Sequence, residues 1–123
     1  MFIPSPPVHQ TTLVKSPKKG ETVSFHGRLC YTNGGCAARI WRIGTKRILC
    51  VLQDKNKRYL PKNIEHWLTW DTNIYADFTV EYVGDDKEGE EASVYLLSAK
   101  HIVVEDLKDP DRPKIFKVPD TAP

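Results

Sequence analysis

Apolar and polar side chains alternate along much of the chain, and the alternation breaks at glycine-rich or charged stretches. In "ETVSFHGRLCY" (residues 21–31), Val23 and Phe25 alternate with Thr22, Ser24 and His26, and the apolar parity resumes at Leu29 and Tyr31. A period of two over this length predicts a long half-buried strand. Gly27 falls at an otherwise apolar position in its middle, where a missing side chain marks a bulge or a sharp coil. "TNGG" follows, and Asn-Gly between alternating runs predicts a hairpin. "CAARIWRI" then reads as a second strand, and "GT" turns the chain into a third, "KRILCVLQ".

The period changes in "DKNKRYLPKNIEHWLTWD". Pro61 suits a first helical turn, and Ile64, Trp67 and Leu68 fall at i, i+3 and i+4, the stripe of a short amphipathic helix. Strands return with "NIYADFTVEYV", which places Ile74, Ala76, Phe78, Val80 and Tyr82 on one face. "GDDKEGEE" is a charged loop, and "ASVYLLSAKHIVVED" is the fifth strand. Residues 1–20 carry four prolines without periodicity and read as a flexible arm. Residues 108–123 have the same tail-like character, although "KIFKV" can add a short edge strand or dock on a partner. The folded domain is expected at 21–107.

Three strands, a short helix and two strands leave exposed edges if laid out as an open sheet, whereas a long, glycine-interrupted first strand can pair at both ends and close a barrel. The succession "ETVSFHGRLCY", "CAARIWRI", "KRILCVLQ", "PKNIEHWLTW", "NIYADFTVEYV", "ASVYLLSAKHIVVE" resembles the OB-fold superfamily, across roughly residues 21–105. The resemblance rests on element order. It implies an all-β, five-stranded Greek-key barrel with one short helix between strands 3 and 4. An SH3-like barrel is the structural competitor, and a helix at that place argues against it.

The 123 residues suit one domain, and 40% hydrophobic with 28% charged side chains suits a packed core. No apolar run reaches the ~18 residues of a membrane-spanning helix, and "MFIPSPPVHQ" lacks a signal peptide's basic and apolar regions, so a cytoplasmic chain without membrane partners is expected. Cys30, Cys36 and Cys50 lack CxxC spacing and suit reduced thiols, with a Cys30–Cys36 bridge across the tight turn as the alternative. The net charge of +2 hides an asymmetry: residues 1–62 carry twelve Lys and Arg against two acids, and residues 63–123 carry six against fourteen. Either the molecule has one basic side, or the charges interleave in space.

For an OB-like barrel, ligands are expected on the face of strands 2 and 3, framed by "TNGG" and "GDDKEGEE". Arg39 and Trp41 share a parity there, and Arg28 projects from the first strand away from its apolar set. An indole flanked by guanidinium groups suits single-stranded nucleic acid, DNA or RNA, because bases stack on the ring while arginines neutralise phosphates. Arg28, Arg39, Trp41, Arg42, Lys46 and Arg47 are the candidate nucleic-acid-binding residues, with Trp41 as barrel core or subunit interface in the competing reading. Ile40 and Trp41 have opposite parity and either can face inward. An unpaired Arg42 inside a small barrel is costly, which favours Ile40 buried and Arg42 reaching solvent. The loop "GDDKEGEE" sets five acids against one lysine and repels phosphate, unless it serves a protein partner.

The histidines and cysteines show no paired zinc-ligand spacing, and no GxSxG, GxxxxGK or HExxH motif is present, so no metal, no cofactor and no catalytic residue is expected. The sequence thus points to a non-catalytic binding module: either single-stranded nucleic-acid binding, or a protein-interaction or structural subunit that docks on a protein partner or forms a homo-oligomer. Oligosaccharide binding, which the same fold supports, is the minor alternative.

Overall fold

The computed structural model describes residues 16–53 and 60–121. Among them run strands β1 (Thr22–Tyr31), β2 (Ala38–Arg42), β3 (Ile48–Val51), β4 (Thr72–Tyr82), β5 (Ala92–Asp106) and β6 (Lys114–Lys117), with one short helix, α1 (Lys62–Glu65), between β3 and β4. The N-terminal arm expected at 1–20 lies largely outside the described residues. No helix among the described residues is long and apolar enough to cross a membrane.

The pairings form a ring. β1 pairs antiparallel with β2 on one side and β4 on the other, β2 pairs with β3, and β4 with β5; β3 and β5 then meet in parallel through Leu49↔Ala92, Cys50↔Ser93 and Val51↔Val94. The ring satisfies ladder groups that an open sheet would leave at two long edges. β6 is added antiparallel to the far end of β5, from Val103↔Lys117 to Asp106↔Lys114, so the segment read as a tail carries the edge strand that "KIFKV" allowed.

Alternation decides what fills the ring. In β4 every second residue from Thr72 to Tyr82 is buried, and Ile74, Ala76, Phe78 and Val80 are wholly inside. Leu29, Ile40, Leu49, Val94 and Val104 meet them from the other strands. The segment around α1 contributes Leu60, Ile64 and Leu68 to the same core, with Trp67 half-buried against it.

The expected distortion at Gly27 takes another form. The β1–β4 register runs through Gly27 without a shift and the β1–β2 pairing begins at it, and the glycine instead lets β2 approach closely. The register shifts lie between β4 and β5, where β5 has an extra residue near Leu97 and another near His101. Each bulge reverses the parity of β5 and increases its coiling. Leu97 is thereby turned outward, and His101 takes a left-handed φ of 55°, rare for a residue with a Cβ.

Candidate functional site

The outer surface of the ring carries most of the unusual chemistry. Register places Tyr75 of β4 opposite Arg28 of β1, Arg28 opposite Trp41 of β2, and Trp41 opposite Ile48 of β3. All four side chains are on the outward parity, since their strand neighbours Ile74, Leu29, Ile40 and Leu49 are buried. The Arg28 guanidinium carbon lies 5.1 Å from the centre of the Trp41 ring, a cation–π distance. The Trp41 indole Nε1–H donates to the Thr45 carbonyl at 2.8 Å, which fixes the ring on the sheet. Ile48 is 47% exposed, so the row ends in an accessible apolar side chain.

The next row is Cys30, Arg39 and Cys50. Arg39 Nε donates to Glu91 Oε2 at 2.7 Å, and its Nη1 donates to Thr32 Oγ1 at 2.6 Å, the Asn33 carbonyl at 3.2 Å and the Cys36 carbonyl at 3.4 Å. The guanidinium is thus held between the β1–β2 loop and the acidic loop.

Cys36 and Cys50 form a disulfide, with Cα atoms 5.8 Å apart, while Cys30 is free and half-buried. This replaces the expectation of three reduced thiols and its Cys30–Cys36 alternative. The reason is register: the loop returning to β2 brings Cys36 beside β3, a proximity that spacing in sequence does not reveal. Disulfides are the habit of oxidising compartments, so this pairing does not add to the expectation of a cytoplasmic chain.

Of the six basic and aromatic candidates, the structure brings Arg28, Arg39 and Trp41 together on one outer surface. Arg42 has the parity of Ile40 and lies half-buried at one end of the ring, its guanidinium carbon 5.2 Å from the centre of the Phe25 ring. Arg47 stands at the same end, paired with the buried Asp86 carboxylate and donating to the Glu90 carbonyl at 2.8 Å. Tyr82 is there too, its hydroxyl pushed to a higher pKa by burial and pulled back by Arg42 and Arg47. Lys46 is exposed on the β2–β3 turn. The acidic loop therefore folds onto Arg39 and Arg47, and at this surface the two halves of the charge distribution interleave.

Two features escaped sequence reasoning. Tyr75 was visible as an aromatic on the polar parity of "NIYADFTVEYV". The other is a cluster in which Asp77 receives two imidazoles: His26 Nδ1 lies 3.0 Å from Oδ1 and His101 Nδ1 2.7 Å from Oδ2. Hydrogen bonds from His101 first and His26 second hold the Asp77 carboxyl below its ordinary pKa. The backbone N–H of His101, freed by the bulge, donates to Asp120 Oδ1 at 2.8 Å. Asn63 Nδ2 also holds the Asp120 carbonyl, so the segment after β6 is clasped against β5 and α1. Among the described residues no group of three or more His, Cys, Asp or Glu side chains is arranged to hold a metal ion.

Comparison with known proteins finds no matching family model, no similar curated protein and no similar solved structure.

Proposed function

We propose that the ring is a five-stranded Greek-key barrel of the OB type, and that the chain is a non-catalytic module that binds single-stranded DNA or RNA on the outer surface of β1, β2 and β3. The pairing order β1–β2–β3–β5–β4–β1, with α1 between β3 and β4, supports the fold reading. The observation that carries the function is the row Tyr75, Arg28, Trp41, Ile48: two rings beside a guanidinium, with an exposed aliphatic at its end, on adjacent strands. Aromatic platforms interleaved with cations bind single strands with little base preference, because every base has a π-face and every nucleotide a phosphate. Arg39 and Lys46 extend the row at its sides, whereas Arg42 and Arg47 serve the end of the barrel.

The test is a fluorescence titration with mixed-sequence single strands across a range of salt. Engagement of about three phosphates on a single strand gives a log–log salt slope of roughly −2. Trp41→Ala costs about 1–3 kcal/mol of binding with the slope nearly unchanged, and Arg39→Ala flattens the slope by less than about one. Binding that is indifferent to Trp41, or no binding at low salt, overturns the reading.

A second reading, a protein-interaction subunit, is favoured by exposed apolar side chains away from the row: Ile115 on edge strand β6 is 67% exposed and Trp70 68%. Sedimentation showing a stable oligomer that Ile115→Lys dissociates is the result that would select it.

A further inference from the structure

Among the described residues, the ion pairs that tie the acidic loop to Arg39 and to Arg47 differ in a way that gives them different roles. The Arg47–Asp86 pair is built in. The Asp86 side chain is only 6% exposed, its backbone N–H donates to the Pro17 carbonyl at 2.9 Å, and the neighbouring Asp85 carboxylate accepts from the Lys19 N–H at 2.9 Å. Arg47 also holds the Glu90 carbonyl. This pair pins the loop to the end of the ring.

The Arg39–Glu91 pair is open on one side. The Glu91 side chain is 42% exposed and that of Arg39 only 23%. Three oxygens of the β1–β2 loop, Thr32 Oγ1 and the carbonyls of Asn33 and Cys36, hold Arg39 in place independently of Glu91. Ala92, the next residue, is already paired with Leu49. A change of rotamer therefore takes the carboxylate away to water without moving the backbone, and leaves the guanidinium aimed at the outer surface beside the Arg28–Trp41 row.

We propose that the Glu91 carboxylate occupies the position of a backbone phosphate at Arg39, and that a single strand binds by exchanging its phosphodiester for Glu91. This rests on the nucleic-acid reading above and assigns one phosphate subsite within it. The exchange is an ion-pair substitution with no covalent step. An ion pair whose carboxylate already faces water is worth little, so the exchange is easily driven by stacking elsewhere on the strand. Glu91 then lowers affinity for any polyanion and disfavours partners that offer charge without bases.

The experiment compares the wild-type chain, Glu91→Gln, Glu88→Gln and Arg39→Ala, each shown to melt cooperatively, in titrations with oligo(dT) and oligo(U) from low to moderate salt. Glu91→Gln is expected to raise affinity about threefold at low salt. It also steepens the salt slope by up to about 0.7, since Arg39 then meets the phosphate without a carboxylate already in place. Glu88→Gln removes the same charge from the same loop and is expected to leave the slope unchanged. In the Arg39→Ala background, Glu91→Gln is expected to have no effect. Wild-type binding with Glu91→Gln unchanged, or an equal gain from Glu88→Gln, overturns the exchange while leaving nucleic-acid binding intact. Absence of wild-type binding overturns both.

Discussion

Gly27 and Ile40 meet across the β1–β2 pair so closely that a Cβ on Gly27 would stand 2.8 Å from Ile40 Cγ2 and 3.0 Å from the Trp41 carbonyl oxygen. Neither atom is the free end of a flexible side chain, so a methyl group there pushes β2 away from β1. Gly27→Ala is expected to destabilise by about 1–3 kcal/mol, the usual cost of overpacking a core. It also disturbs Trp41, whose carbonyl is one of the crowded atoms. A urea midpoint unchanged from the parent would show that the strands part without cost.

The disulfide joins Cys36 to Cys50, 14 residues apart. A loop of that length constrains the unfolded chain by about 3 kcal/mol. Reduction, or Cys36→Ser, is therefore expected to lower the melting temperature by about 12–24 °C, given roughly 4–8 °C per kcal/mol in a domain of about 100 residues. Thiol titration of the unfolded, unreduced chain should find Cys30 reactive and the other two cysteines unreactive. Three reactive thiols, or a melt unchanged by dithiothreitol, would refute the pairing.

Trp67 and Trp70 are only three positions apart and should respond very differently. Trp67 is half-buried on the core and meets Phe116 edge-on with ring centres 5.5 Å apart, so Trp67→Ala is expected to cost about 3 kcal/mol. Trp70 is 68% exposed, and its replacement removes mainly a tilted contact with Tyr31, worth about 1 kcal/mol or less. Equal losses in chemical denaturation would mean that the turn after α1 is seated differently.

Asp77 makes stability depend on acid. Its carboxyl is held below the ordinary value of 3.8 by the His101 and His26 hydrogen bonds, so the folded state keeps the proton off more strongly than the unfolded chain does. The contribution is present above that ordinary value and is lost as pH falls through the lowered one. The site is exposed, so the effect is small. Asp77→Asn should flatten the acid limb of a stability–pH curve, and carboxyl NMR should place Asp77 below a typical aspartate. A normal or raised titration would refute the geometry.

What the residue order reveals and conceals follows from the range of each interaction. The inward set of β4 is legible because burial strictly follows a period of two from Thr72 to Tyr82. The shared face of Arg39 and Trp41 is legible for the same reason, with the buried Ile40 between them. The bulges of β5 are not, because their positions depend on where β4 slips in register beside them. The disulfide depends on the register in which β3 returns beside β2, and the His26–Asp77–His101 cluster on three strands that lie far apart in the chain, which no local pattern encodes. The same holds for Arg39 and Arg47: their basic character is plain in "RIWRIGTKR", and their carboxylate partners some 40 to 50 residues later emerge only when β5 is laid beside β3.

The ring also has a kinetic consequence. Its seams join Thr22 to Glu81 and Leu49 to Ala92, so both closing contacts span long stretches of chain. Each must overcome a large loop entropy before the interior is sealed, which places folding in the millisecond-to-second range typical of non-local β topologies. Until β5 arrives, the outward-facing row on β1 and β2 already exists as a local hairpin, but its β3 edge is unpaired and open to other chains. Stopped-flow refolding at rising protein concentration should therefore show aggregation competing with a slow final phase. The same hazard would act on a chain emerging from the ribosome, where β1 to β3 must wait for the last third of the sequence to shield them.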